Sequence, residues 1–181
     1  EESRGIPVLP GVYTLKYQYQ NDISSNIVEV VADPRFDIDH EVDLELYRYQ
    51  KAVNGQVVKL SLLLKKTQEW QKELTEKFKG FEQRSSGNQK EIVKLKNLEK
   101  ELVALNLLAL DKPGDRQVGA WQSSRITAYY AVEQALKASS SRVTIPSAQD
   151  WNRVRLAVEL VEEFERAVSL YERKTWVKFK K

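Results

Sequence analysis

The feature that most constrains this chain is a change of hydrophobic rhythm at Asp33-Pro34-Arg35. Upstream, apolar residues fall in two short runs, Val12-Tyr13-Thr14-Leu15-Lys16-Tyr17-Gln18-Tyr19 and Ile27-Val28-Glu29-Val30-Val31. Both are rich in β-branched and aromatic residues, and Gln20-Asn21-Asp22 between them supplies turn chemistry, so a β-hairpin is expected. An isolated hairpin is marginal in water, so this one is expected to pack on the helices or on strands lying outside the chain. Pro34 ends the second run because it has no amide donor and drives Asp33 towards extended geometry.

Downstream the apolar residues recur every three or four positions. Leu46, Tyr49, Val53, Val57, Leu60, Leu64, Thr67, Trp70, Leu74, Phe78 and Phe81 form one such stripe, which predicts a first helix about forty residues and roughly 60 Å long. Asp37 and Asp39 are its candidate N-caps, while Glu41 and Asp43 place negative charge in its first turn. Gly55 and Gly80 weaken it locally, by about 1 kcal/mol each relative to alanine. Arg84-Ser85-Ser86-Gly87-Asn88 is a loop, and a second helix carries Ile92, Leu95, Leu98, Leu102 and Leu105 as far as Asp111-Lys112-Pro113-Gly114.

A third stripe holds Val118, Trp121, Ala128, Tyr129, Val132 and Leu136 and ends at Ser139-Ser140-Ser141. The fourth follows Pro146, with Ser147 and Asp150 as a variant capping box ahead of Trp151, Val154, Val158, Val161, Phe164, Val168 and Tyr171. Short connections predict antiparallel consecutive helices. The expected fold is therefore mainly α: an antiparallel up-down bundle of about four helices behind an N-terminal β-hairpin. The hairpin takes residues 1–36 and the bundle residues 37–181.

Composition narrows the function classes. Lys+Arg total 29 and Asp+Glu 26 in 181 residues, an excess of 29 − 26 = +3, too small for a phosphate-tracking basic face. Cysteine is absent, which removes disulfides, thiolate metal sites and cysteine nucleophiles. No apolar run reaches the length of a membrane-spanning helix. Methionine is absent too, and the opening Glu1-Glu2-Ser3 reads as a processed chain or an excised fragment.

Pro10-Gly11-Val12-Tyr13-Thr14, followed about twenty residues later by Asp33-Pro34-Arg35, resembles the closing strands of the Ig-like domain in bacterial sortilin-like β-propeller proteins. These are large exported proteins with BNR (Asp-box) repeats, often described as glycosyl hydrolase-like. Pro146-Ser147-Ala148-Gln149 is similar to the "PTxxQ" opening of a helix in that family's C-terminal helical region. The resemblance runs along the whole chain in order, on short structural motifs. It implies the C-terminal part of a larger secreted or cell-envelope protein, with the hairpin as the remnant of an Ig-like β-sandwich. It brings no propeller function, because the Asp-box motifs are missing from this chain, and no catalytic residue of the family maps here.

Candidate chemistry is sparse. The sole histidine, His40, lies among Asp37, Asp39, Glu41 and Asp43; oxygen ligands for a metal cluster there, but an acidic first helical turn is the ordinary reason for such a group. A serine nucleophile paired with His40 has no Gly-x-Ser-x-Gly turn to expose it. Glu162 with Arg166 and Glu73 with Lys77 stand at i,i+4 spacing, as solvated helix pairs do, whereas a glycosidase needs two carboxyls across a cleft. Neither a metal nor a cofactor is expected.

Trp70, Trp121 and Trp151 fall on apolar stripes and are expected in the core. Trp176, Lys178 and Phe179 belong to the basic, aromatic end Lys174-Thr175-Trp176-Val177-Lys178-Phe179-Lys180-Lys181, which reads either as a contact surface or as a frayed helix end. Tyr13, Tyr17 and Tyr19 alternate along one strand face, and this alternation predicts that the face is covered. These six residues are the candidate partner contacts. The expected function is a non-catalytic structural or protein-interaction module at the C-terminus of a larger propeller protein. Its partner would be another protein, the upstream propeller or Ig-like domain, or a second copy, with no nucleic acid. The alternatives are a carbohydrate-contacting accessory domain of a glycan-active enzyme and a self-associating coiled coil, since the first-helix spacing is close to a heptad.

Overall fold

The computed structural model of the protein describes residues 6–32, 39–82, 89–110, 126–140 and 144–180. Strands β1 (Gly11–Tyr19) and β2 (Asp22–Val30) form an antiparallel hairpin in which Tyr19 pairs with Asp22 and Gly11 with Val30. The two-residue loop between them requires a positive φ at its first position, and Gln20 adopts it with φ 54°. Among the described residues four helices follow: α1 (His40–Glu82), α2 (Gln89–Asn106), α3 (Ala128–Ser140) and α4 (Ala148–Tyr171). A π-helical turn, Glu172–Trp176, and a last α-helical turn, α5 (Val177–Lys180), extend α4. The protein is therefore mainly α, with an N-terminal hairpin.

Helix α1 runs for 43 residues, about 65 Å at 1.5 Å per residue, and passes through Gly55 and Gly80 without a break. Burial along the helix outweighs the propensity loss at those glycines, because Val53, Leu60, Trp70 and Leu74 are all withdrawn from water. Asp39 caps the start by accepting a hydrogen bond from the Glu41 amide at 2.9 Å; Asp37 lies outside the described residues. The α4 capping box is complete: the Ser147 hydroxyl accepts from the Asp150 amide, and the Asp150 carboxylate accepts from the Ser147 amide at 2.8 Å. Asp150 is wholly buried, and Arg153 donates to it at 2.8 Å.

Chain direction is where the structure departs from the expected path. Lys59 pairs with Glu165, Lys66 with Glu172, and Glu73 with Lys180. Numbers rise together on both helices, so α1 and α4 run parallel, whereas the first and last helices of a four-pass bundle would oppose one another. The reversal is lost between α2 and α3. Amides of Ala128 and Tyr129, at the start of α3, donate to the carbonyls of Leu108 and Ala109 just beyond the end of α2. The two helices follow one another instead of packing side by side.

Together α2 and α3 make one descending pass, split into two levels along the α1–α4 pair. Near the start of α1, Tyr49, Val53, Ala135 and Val154 form a small core, and the Tyr49 hydroxyl reaches the Ala135 carbonyl. Farther along, Leu60, Trp70 and Leu74 of α1 meet Leu95, Leu102 and Leu105 from the α2 side and Val161, Phe164 and Val168 of α4. The stripe assigned to a third helix begins, within the described residues, only at Ala128; Val118 and Trp121 lie outside them.

Candidate interaction surfaces

Pairing in β1 and β2 sorts the hairpin side chains onto two faces. Tyr13, Leu15, Tyr17 and Tyr19 share one face with Val28 and Val30, because residues i and i+2 of a strand point the same way. The sequence pattern predicts a covered face. Among the described residues it is open instead: Tyr17 is 57 % and Tyr19 75 % exposed, and Leu15 is exposed as well. Tyr13 and Val30 are half-buried, and the Tyr13 hydroxyl donates to the Leu9 carbonyl at 2.6 Å. The opposite face also leaves Val12, Ile23 and Ile27 in water. Alternation correctly identified an apolar face, but a two-stranded sheet covers neither of its sides.

The C-terminal candidates separate. Trp176 is 3 % exposed and stacks on Trp70 at a centroid distance of 5.4 Å. This corrects both readings of the chain end: the indole is a core group, neither a frayed end nor a surface contact. Phe179 is half-buried, 5.3 Å from Trp176, with the Lys77 ammonium 4.0 Å from its ring centroid. Only Lys178 remains exposed. Lys66 lies over Trp70 and Lys180 over Trp176, at 5.4 and 5.7 Å, within the reach of cation–π attraction.

Ion pairing is redistributed by this packing. Glu162 keeps its partner Arg166 at 3.9 Å. Glu73 instead pairs with Lys180 at 3.1 Å across to α5, while Lys77 covers the Phe179 ring. The Tyr171 hydroxyl donates to the Leu98 carbonyl, and its pKa is pushed up to about 12 by burial first and the nearby Glu101 charge second. A buried phenol with a neutral acceptor keeps its proton, which suits a packing role and gives it no nucleophilic character at neutral pH.

His40 is the first residue of α1, with Glu41 and Asp43 in the same turn. No group of three or more side chains able to hold a metal comes together among the described residues, and none of their helices is long and apolar enough to cross a membrane. Trp151, half-buried at the edge of the small core, packs edge-on against Tyr49 at 5.5 Å, whereas Trp70 is fully within the larger core. The sequence signal for Trp176 was the gap of five between it and Tyr171, which breaks the three-four rhythm by a single residue. No protein-family model, curated protein or solved structure matches the chain.

Proposed function

We propose that this chain is a non-catalytic structural and protein-interaction module: a helical rod that carries an adhesive β-hairpin. The observation that supports this reading most directly is the contrast in burial. The helices bury a core that includes Trp70, Phe164, Tyr171 and Trp176, though Leu62, Val93 and Tyr129 stay exposed, while the hairpin has no core of its own and leaves Leu15, Tyr17 and Tyr19 of one face in water. A long α1 braced along one side by α4 is stiff, and stiffness suits a spacer better than a site that must close on a substrate. The neighbour met by the hairpin would be a β-rich domain of the same parent or a partner protein. The resemblance at Pro10-Gly11-Val12-Tyr13-Thr14 and Asp33-Pro34-Arg35 favours a parent of the sortilin-like propeller type, exported to the envelope or secreted; Asp-box repeats in the parent protein would test that lineage.

Cross-linking of the chain in its native setting, mapped by mass spectrometry, tests the binding role. Links from Lys16 on the hairpin to another protein or domain, abolished by Tyr17→Ser with Tyr19→Ser, are the expected result. A chain that forms no hairpin cross-links would sink the reading. Two exposed tyrosines on one strand face also favour a second function, contact with carbohydrate, since flat rings stack on sugars. Glycan-array binding lost on Tyr17→Ala would move support to it. Self-association through α1 has less to recommend it, because the α1 heptad seam is filled by helices of the same chain.

A further inference from the structure

Two independent series of residues slip by one position at the same place. In α4 the buried positions Val154, Ala157, Val161, Phe164, Val168 and Tyr171 advance by three or four, as an α-helix packed along one seam requires. The next buried residue, Trp176, comes five later. The charged flank shows the same excess. Lys59, Lys66 and Glu73 of α1 are spaced by seven and seven, whereas their partners Glu165, Glu172 and Lys180 are spaced by seven and eight.

Between these marks the backbone turns as a π-helix, and the Val177 amide donates to the Glu172 carbonyl five residues back. At about 100° per residue, a five-residue step in an uninterrupted α-helix would leave Trp176 roughly 140° from Tyr171. Thr175 and Lys178 would then inherit the seam, turning an ammonium towards the aromatic core and the Trp176 indole away from it. The wider turn takes up the surplus residue and restores the phase.

We propose that Glu172–Trp176 is a one-residue phase corrector, the conformational device that lets a terminal clip of Trp176, Phe179 and Lys180 close on α1. The clip is held on three sides: Trp176 on Trp70, Phe179 beneath Lys77, and Lys180 to Glu73. π-turns of this kind are rare as regular structure and occur mostly as single turns within α-helices. Here the turn serves continuity between two stretches of seam that would otherwise be out of step.

The test is an asymmetry between losing and gaining one residue, made in the full chain. Deleting Lys174, which is exposed, puts the tryptophan four residues after Tyr171 and the last clip lysine seven after Glu172. An unbroken α-helix then presents the same clip. Inserting one alanine between Arg173 and Lys174 leaves a surplus of two residues that one π-turn does not absorb. Expected for the deletion are a thermal midpoint within about 2 °C of the parent, less than the shift from 1 kcal/mol in a chain of this size, and a retained near-ultraviolet dichroism band from the stacked indoles. The insertion should lose that band and melt at least 5 °C lower, a shift that answers to more than about 1 kcal/mol. Equal damage from both variants, or failure of the deletion to fold, would overturn the proposal by making the π geometry itself the requirement. No effect from either would overturn it too, since a frayed end tolerates both.

Discussion

Replacing Trp176 by alanine should be among the most costly single changes in the chain, although only five residues of the sequence follow it. A tryptophan side chain buries about 150–250 Å², which at about 25 cal/mol per Å² corresponds to roughly 4–6 kcal/mol. That is an upper bound, because the unfolded chain already hides part of the ring. Against it stand the lost ring contacts with Trp70 and Phe179 and the cavity left between α1 and the π-turn, so about 3–5 kcal/mol is expected. In a chain of 181 residues each kcal/mol moves the midpoint by about 2–4 °C, giving a fall of roughly 10 °C. Urea denaturation followed by far-ultraviolet dichroism measures it, with Tyr17→Ala as the companion. Tyr17 is more than half exposed on a hairpin face that nothing described covers, and its loss should cost less than about 0.5 kcal/mol. A Trp176→Ala change below about 1 kcal/mol, indistinguishable from the tyrosine variant, would show that the terminal clip does not stabilise the rod.

Three further outcomes follow from the geometry. Gly55→Ala should stabilise by up to about 1 kcal/mol, because the position lies inside α1 and a Cβ there meets nothing within 4 Å; a lower midpoint in thermal melts would contradict it. Ser147→Ala should destabilise by about 1 kcal/mol by removing the capping hydroxyl of α4, read from the denaturation midpoint at unchanged m-value. Tyr171 has its folded pKa raised to about 12 from 10, so its contribution is whole below pH 10 and falls as the unfolded phenol ionises between pH 10 and 12. The stability advantage of the wild type over Tyr171→Phe should therefore shrink across that window in urea titrations, and a constant gap would refute the assignment.

The rhythm change near Pro34 was enough to separate hairpin from helices, because strand and helix impose different side-chain periods. The α1 and α4 seams were legible for the same reason, and the Ser147–Asp150 box marked the start of α4 at the right residue. Direction was not legible. Whether α3 turns back on α2 or continues past it depends on residues 107–127, where composition signals a break but not its angle. Trp176 is misread for a related reason: the gap of five after Tyr171 shows a break in rhythm but not the π-turn that absorbs it, which depends on the tertiary fit of Trp176 against Trp70. The open tyrosine face was visible as a pattern, while its lack of cover was not, because cover comes from other elements.

Three passes made by the described helices have a geometric result for the rod. With α1 ascending, α2 and α3 descending in succession and α4 ascending again, the described helical path starts at one pole with His40 and reaches Lys180 near the other. From His40 to Glu73, the α1 residue that meets Lys180, the axial separation is about 50 Å at 1.5 Å per residue. Lys180 is therefore held that far from the start of α1, at a distance set by rigid helix rather than by slack linker.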